Sequence, residues 1–347
     1  MNRKYRHLVG TLALLLSTLA CRAATSLIFP DTPTPLPPAT LTPLPNTPIP
    51  TLPAPTEEII LEAACPLLLS DIMDAALSDA NSSEKFSEED YYVLYTIDDD
   101  KLKTREDVVA SNNIGGEYDS RAKHESLWNY FAEIIPEDER KFVTKFAVTS
   151  DGRGEILAAV SPNYDNPSEW TLEVDTLDTD DNFSLTYTLM HEFGHLLTLN
   201  SKQVPVNRRV LYNIDDIDIY EQAVAQCPQY FTGEGCSTID SYINEFFKRF
   251  WSHFYEEWQE VDEIDDEDVY YDRLDDFHDT YQDQFLTDYA PTSPAEDIAE
   301  SWSFFVLSPK PDNNSIANEK ILFFYEYPEL VRLRGDILNR VCEAFPE

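Results

Sequence analysis

The chain has 347 residues, long enough for one large domain or two ordinary ones, and 42% of them are hydrophobic, enough for a sizeable core. Lys and Arg total 25 against 65 Asp and Glu, a formal net charge of -40. A field of that sign and size repels nucleic acid and anionic lipid surfaces, which excludes a nucleic-acid partner.

In chain order, Arg3, Lys4 and Arg6 form a basic head, and the apolar run LVGTLALLLSTLA follows. Such a run is too short to span a bilayer comfortably and has the make-up of the apolar region of an export signal. It ends at STLAC, which resembles a bacterial lipoprotein cleavage site with Cys21 as the lipidated residue. Thr18 stands where Leu is usual there, and ordinary signal cleavage near Ala23 or Ala24 is the alternative. Residues 1–21 are thus expected to direct export to the cell surface, with contact to a membrane only through a lipid on Cys21. A linker is expected over 22–56, where the stretch 25–56 holds 11 of the 23 prolines. That composition cannot pack a core and makes an extended, semi-rigid spacer. A single folded domain is expected over 57–347.

Setting Cys21 aside leaves four cysteines, Cys65, Cys227, Cys236 and Cys342, an even number in a chain bound for oxidising surroundings. Cys227 and Cys236 bracket the short loop CPQYFTGEGC and are expected to pair, leaving Cys65 to join Cys342 across the two ends of the folded part.

Residues 57–80 have helical apolar spacing, whereas 82–123 are polar and acidic with little pattern. ESLWNYFAEII predicts a helix ended by Pro136. Three β-type runs follow, KFVTKFAVTS, GEILAAVSPN and WTLEVDTL, with SDGRG expected to turn a hairpin between the first two. A helix is predicted over about 184–199, capped by Asn182 or Ser184. DIYEQAVAQ and the aromatic-rich SYINEFFKRFWSHFYEEW have helical spacing. The acidic run 260–279 is expected to be a solvated face, since it lacks the Gly of a calcium loop. SPAEDIAESWSFFVL is a helix with Ser293 as N-cap and Pro294 in its first turn, and a last helix, NEKILFFYEYPELVRLRGDILNRVC, is partly broken by Pro328. Strands followed by a run of helices predict an α+β fold: a small, mostly antiparallel sheet packed on the helix at 184–199, then a mainly helical C-terminal part.

Within TYTLMHEFGHLLTL, two histidines and a glutamate interrupt an apolar helix. Burying those polar groups unpaired would cost several kcal/mol, roughly 2–7 for each. His191 and His195 are four apart, so they project from one side of a helix and can grip one zinc ion. Glu192 is offset along the same helix and can take a proton from a water whose pKa the ion lowers. A catalytic zinc needs a third protein ligand. The pattern HExxHxxGxxH would supply a third His, but Thr198 and Ser201 stand at its Gly and His positions, which excludes that class. His253 lies in an aromatic helix and His278 in an acidic run, and both are weak candidates. Glu296 and Glu300, four apart on a core helix, are better ones. One carboxylate can bind the ion while the other accepts the N–H of a ligating histidine. Asp297 projects elsewhere.

TLMHEFGHLLTL followed far downstream by TDYAPTSPAEDIAESW resembles the gluzincin metallopeptidases, in particular the bacterial zinc-binding metallopeptidases related to the lethal-factor catalytic domain. The resemblance covers about residues 125–306. It implies a zincin-like domain, a Zn2+ cofactor and hydrolysis of a peptide or protein substrate. Carried over by motif, it makes Glu296 the third ligand, Glu300 the partner of a ligating histidine, and Tyr289, seven residues before Glu296, a hydrogen-bond donor to the substrate. The expected function is a zinc-dependent endopeptidase with His191, His195 and Glu296 as ligands and Glu192 as general base. A substrate strand would pair with an edge strand such as ILAAV at 156–160. The alternative is a surface-tethered binding or assembly lipoprotein with a structural or inactive zinc site. Glu192 speaks against it, because a structural site gains nothing from a carboxylate one residue after a ligating histidine.

Overall fold

The computed structural model describes residues 65–79, 90–108, 116–150, 156–213, 216–264 and 266–345. The expected export signal, Cys21 and the proline-rich linker lie outside the described residues, as does most of the SDGRG turn.

The fold is α+β. After α1 (Pro66–Asp79), the stretch that showed little pattern forms a hairpin of β1 (Asp90–Asp98) and β2 (Lys101–Asp107). Val93 and Tyr95 point into the core with full burial. Asp99 and Asp100 turn the corner with φ of 48° and 59°. Two left-handed residues are what a two-residue hairpin needs, and Asp tolerates that region better than most side chains. The strands were hidden by their acidic flanks and turn.

α2 (Arg121–Ile134) and α3 (Glu137–Arg140) lead into β3 (Val143–Ser150), β4 (Ala158–Pro162) and β5 (Trp170–Asp175). The sheet order is β2-β1-β3-β5-β4, with β3 and β5 parallel and the other pairs antiparallel. The hairpin expected between the first two β-runs therefore does not form: β3 and β4 are separated by β5, and the hairpin is β4–β5. The physical reason is burial. Every residue of β5 is buried, and a strand buried on both faces is most stable between two neighbours. β4, buried only at Ala158, takes the edge.

α4 (Asn182–Leu199) carries the two histidines and packs against β4, α1 and α10 (Pro294–Leu307). Its N-cap is Asp181, one residue before the expected Asn182, because Asp181 accepts from the Phe183 N–H (3.0 Å) and the Ser184 hydroxyl (2.8 Å). Asn200 closes the other end by donating to the Leu196 and Leu197 carbonyls. Between α4 and α10 lie α5 (Arg208–Leu211), α6 (Ile217–Gln226), α7 (Tyr242–Phe246), α8 (Tyr255–Asp262) and α9 (Glu267–Tyr281). The helix expected across the aromatic segment is broken: a π turn over Phe247–Trp251 follows α7 and places both Phe250 and Trp251 in the core. α9 is the acidic run, amphipathic rather than wholly solvated, with Leu274 and Phe277 buried. The last segment is two helices, α11 (Ile316–Phe324) and α12 (Pro328–Ala344), split where Pro328 opens the second.

Both expected disulfides are present, Cys65–Cys342 and Cys227–Cys236. No described helix is long and apolar enough to cross a membrane.

Candidate metal centre

The site is built where α4 and α10 approach most closely. A Cβ on Gly194 would lie 3.0 Å from the Ala299 Cα and 3.2 Å from the Trp302 ring, so glycine is what lets the two backbones meet. Phe193 and Trp302 pack edge to face beneath them, centroids 5.9 Å apart. The register of α10 is set at its first turn, where the Ser293 hydroxyl accepts from the Glu296 N–H at 3.1 Å. Ser293 and Glu296 have the spacing of a capping box, in which the Glu would fold back on its own helix. Here the Glu296 carboxylate reaches across to α4 instead, and the helix N-terminus favours its negative charge.

Three atoms converge. His191 Nε2 and His195 Nε2 are 3.0 Å apart, and Glu296 Oε2 lies 2.9 Å from the first and 3.1 Å from the second. Donors sharing one tetrahedral zinc ion at ~2.0–2.1 Å are roughly 3.3 Å apart, so this triangle is close to the right size for one ion. Its chemistry, two imidazoles and a carboxylate, also suits zinc. Donor atoms of His191, Glu192 and His195 all lie within 4.8 Å of one another, so these residues form a buried group that could hold a metal ion. The Glu296 triangle is the tighter of the two and leaves Glu192 free beside it.

The surroundings of the three donors are specific. Glu300 Oε1 lies 2.7 Å from His191 Nδ1 and fixes that ring. Glu300 Oε2 is held in turn by the hydroxyls of Tyr187 and Thr287, each at 2.8 Å. Burial alone would push Glu296 up, but the His195 charge and hydrogen bonds from both histidines hold it well below the usual carboxylate range. Burial likewise opposes charge on His191, yet Glu296 and Glu300 raise it well above the ordinary value.

Glu192 behaves differently. Burial pushes its carboxyl up to about 7, against the pull of the His195 and His191 imidazoles and the Val160 backbone N–H. That N–H also locates the residue. The Leu157 carbonyl accepts from the Asp175 N–H at 2.9 Å, so Leu157 faces β5. Backbone groups alternate along a strand, which turns those of Ala158 and Val160 outward from the sheet edge. Glu192 thus sits against the open edge of β4. Tyr289 is 44% exposed. Its ring centroid lies 5.9 Å from that of His191. Desolvation first, then the carboxylates of Glu296, Glu192 and Glu300, raise its phenol, which is hydrogen-bonded to Glu296.

The structure therefore brings together His191, Glu192, His195, Tyr289, Glu296 and Glu300. It leaves His253 exposed on the ring of Phe254, and His278 on α9 against Phe285. Asp297 turns away, 2.6 Å from the Lys320 ammonium and 2.7 Å from the Trp251 Nε1–H that it accepts. Sequence reasoning missed Tyr187 and Thr287, the Val160 N–H, and Glu234, a carboxylate on which the His195 imidazole acts. Only Tyr187 left a local signal: it precedes His191 by four on the same helix, and so shares its face. The chain matches no protein-family model, no curated protein and no solved structure.

Proposed function

We propose that the chain is an exported zinc-dependent endopeptidase with a zincin-like domain, held at the cell surface through Cys21. One observation carries the reading: His191, His195 and Glu296 present three donor atoms within 3.1 Å of one another, with Glu192 free beside them. His191, His195 and Glu296 would hold the ion, and Glu300 would keep the His191 ring in place. When bound, zinc polarises a substrate carbonyl and lowers the pKa of a water. Glu192, beside the donor triangle and not part of it, would take a proton from the attacking water and deliver it to the leaving amine. Tyr289, half open to solvent beside Glu296, donates a hydrogen bond to the substrate carbonyl. The outward groups of Ala158 and the Val160 carbonyl offer a peptide strand its partners on the edge of β4.

Glu192→Gln keeps the size and position of the side chain and removes the base. The expected outcome is full zinc content with peptide cleavage down by roughly 10²–10⁴-fold. The check is a peptide-library digest read by mass spectrometry, with zinc measured on the same samples. A variant that cleaves as fast as the parent would sink the reading.

A further inference from the structure

The open edge of β4 ends at a pair of exposed tyrosines. Leu157 faces β5, and so does Asn163, whose N–H donates to the Glu169 carbonyl at 2.8 Å. The backbone groups that point outward between them are those of Ala158, Val160 and Pro162. The next carbonyl in that series belongs to Tyr164, and it is already taken: the Tyr212 hydroxyl donates to it at 3.2 Å. Tyr212 therefore stands in the lane that a strand added to β4 would follow, and closes that lane at its Tyr164 end.

Both rings are held from behind and open in front. Asn163 is buried, with its side chain tied to the hydroxyls of Thr144 (2.9 Å) and Thr171 (2.6 Å), and the adjoining Tyr164 is turned outward. On α5, Val210 and Leu211 are buried and the Asn207 side chain accepts from the Arg209 N–H at 3.1 Å, which fixes the short helix and leaves Tyr212 on its outer side. The rings meet edge to face with centroids 5.1 Å apart, yet Tyr164 is 65% and Tyr212 41% exposed. A lone exposed aromatic needs no explanation. Two from distant segments, in contact at the end of an unpaired strand edge, form an apolar wall without a cover. Their place says what covers them. Val160, whose N–H meets Glu192, precedes Tyr164 by four residues, at most about 13 Å of strand. A peptide laid along β4 therefore reaches the rings three or four residues from the one beside Glu192.

We propose that Tyr164 and Tyr212 form the terminal subsite of the peptide lane on β4 and take an aromatic or large aliphatic side chain of the substrate, three or four residues from the bond beside Glu192. This rests on the peptidase reading of the centre. Two rings already fixed against each other lose little freedom on receiving a third group, so most of the gain from burying that group is kept.

The test separates binding from turnover. Zinc-loaded Glu192→Gln protein is titrated with peptides of one length, blocked at both ends, in which a single Phe moves through a neutral background of Ala and Ser. The expected result is binding about tenfold tighter with Phe at one position than for the background peptide without it. Adding Tyr164→Ala or Tyr212→Ala should bring that ratio towards one and leave the background peptide unaffected, whereas Tyr212→Phe, which keeps the ring, should preserve it. Parent protein should cut the preferred peptide three or four residues from the Phe. Equal binding at every Phe position overturns the proposal, as does a preference that survives both alanine variants. Zinc content is measured on each variant. Where one alanine variant loses zinc the other decides, and loss of zinc in both also overturns the proposal, since the pair would then be holding the centre together. Parent protein that selects Phe through these rings but cleaves none of the peptides sinks the peptidase reading and leaves the subsite standing. Cleavage that is indifferent to the rings does the reverse.

Discussion

Two buried carboxylates, Glu296 on α10 and Asp262 at the end of α8, show how differently one chain treats the same functional group. Glu296 is met by two imidazoles and is held well below the usual range, so it stays charged. Asp262 is as well buried, but its Oδ2 has no hydrogen-bond partner and burial pushes it up to about 8. Around Asp262 stand Tyr220, Tyr230, Tyr255 and Tyr270, whose phenols are raised by burial first and in part by its charge. Desolvation acts on both carboxylates in the same direction. What separates them is whether a cationic or hydrogen-bonding partner was placed within reach. Two of the chain's six histidines stand at the α4–α10 contact, whereas the tyrosine-rich surroundings of Asp262 hold a carboxyl that burial pushes up to about 8.

The contrast is broken most severely by Glu296→Ala. Removing one of three donors should abolish stoichiometric zinc, whereas Asp262→Ala should leave zinc in place. Metal analysis after dialysis checks both, and full zinc in Glu296→Ala would move the ligand elsewhere. Next in size is Lys320→Met. Lys320 is 0% exposed, and its Nζ lies 2.6 Å from Asp297 Oδ2, close but outside hydrogen-bond geometry. Burial pushes Asp297 up and Lys320 down, each towards its neutral form, against the pull of the other. Removing the cation leaves Asp297 buried with only the Trp251 N–H. Urea unfolding should show a loss of about 3–5 kcal/mol, most of it recovered in the double variant Asp297→Asn/Lys320→Met. A single variant as stable as the parent would mean that Asp297 is already neutral.

Counted per pH unit, the smallest effect sharpens the comparison at Asp262. Its folded-state pKa is raised to about 8, whereas in the unfolded chain it is ordinary. Between those values the folded protein holds a proton that the unfolded chain releases. The stability it contributes is therefore fully present below the ordinary carboxylate pKa and lost as pH rises to about 8, at roughly 1.4 kcal/mol per pH unit for a single group. Asp262→Asn cannot lose that proton. Its advantage over the parent should grow from pH 5 to pH 8 and then level off, measured as the difference in unfolding free energy. A difference that is flat across that range would show that Asp262 has a partner which holds it charged.

Much of the candidate centre was legible because its chemistry is written in local spacing. His191, Glu192 and His195 lie within one turn and a half of α4, and Glu296 and Glu300 within one turn of α10. Ser293 and Pro294 mark the start of that helix by rules that act over three residues. The cysteine pairing followed from an even count and the short spacing of Cys227 and Cys236, which left Cys65 to Cys342. The sheet was harder. Which strand lies beside which depends on burial across the whole molecule, so β5 slipped between β3 and β4 although the chain visits β4 first. In the β1–β2 hairpin the acidic residues that mask its pattern also make its turn. Tyr187, Thr287 and the Val160 N–H act through contacts between distant segments, for which a single sequence carries almost no sign.

The Cys65–Cys342 link has a mechanical consequence. It fastens the residue just before α1 to the last turns of α12. A load entering at Cys65 is divided between α1 and the last turns of α12 instead of falling on α1 alone. The domain cannot be peeled open from its amino-terminal end while that bond is intact, so pulling on the preceding segment should leave the spacing of the two histidines undisturbed.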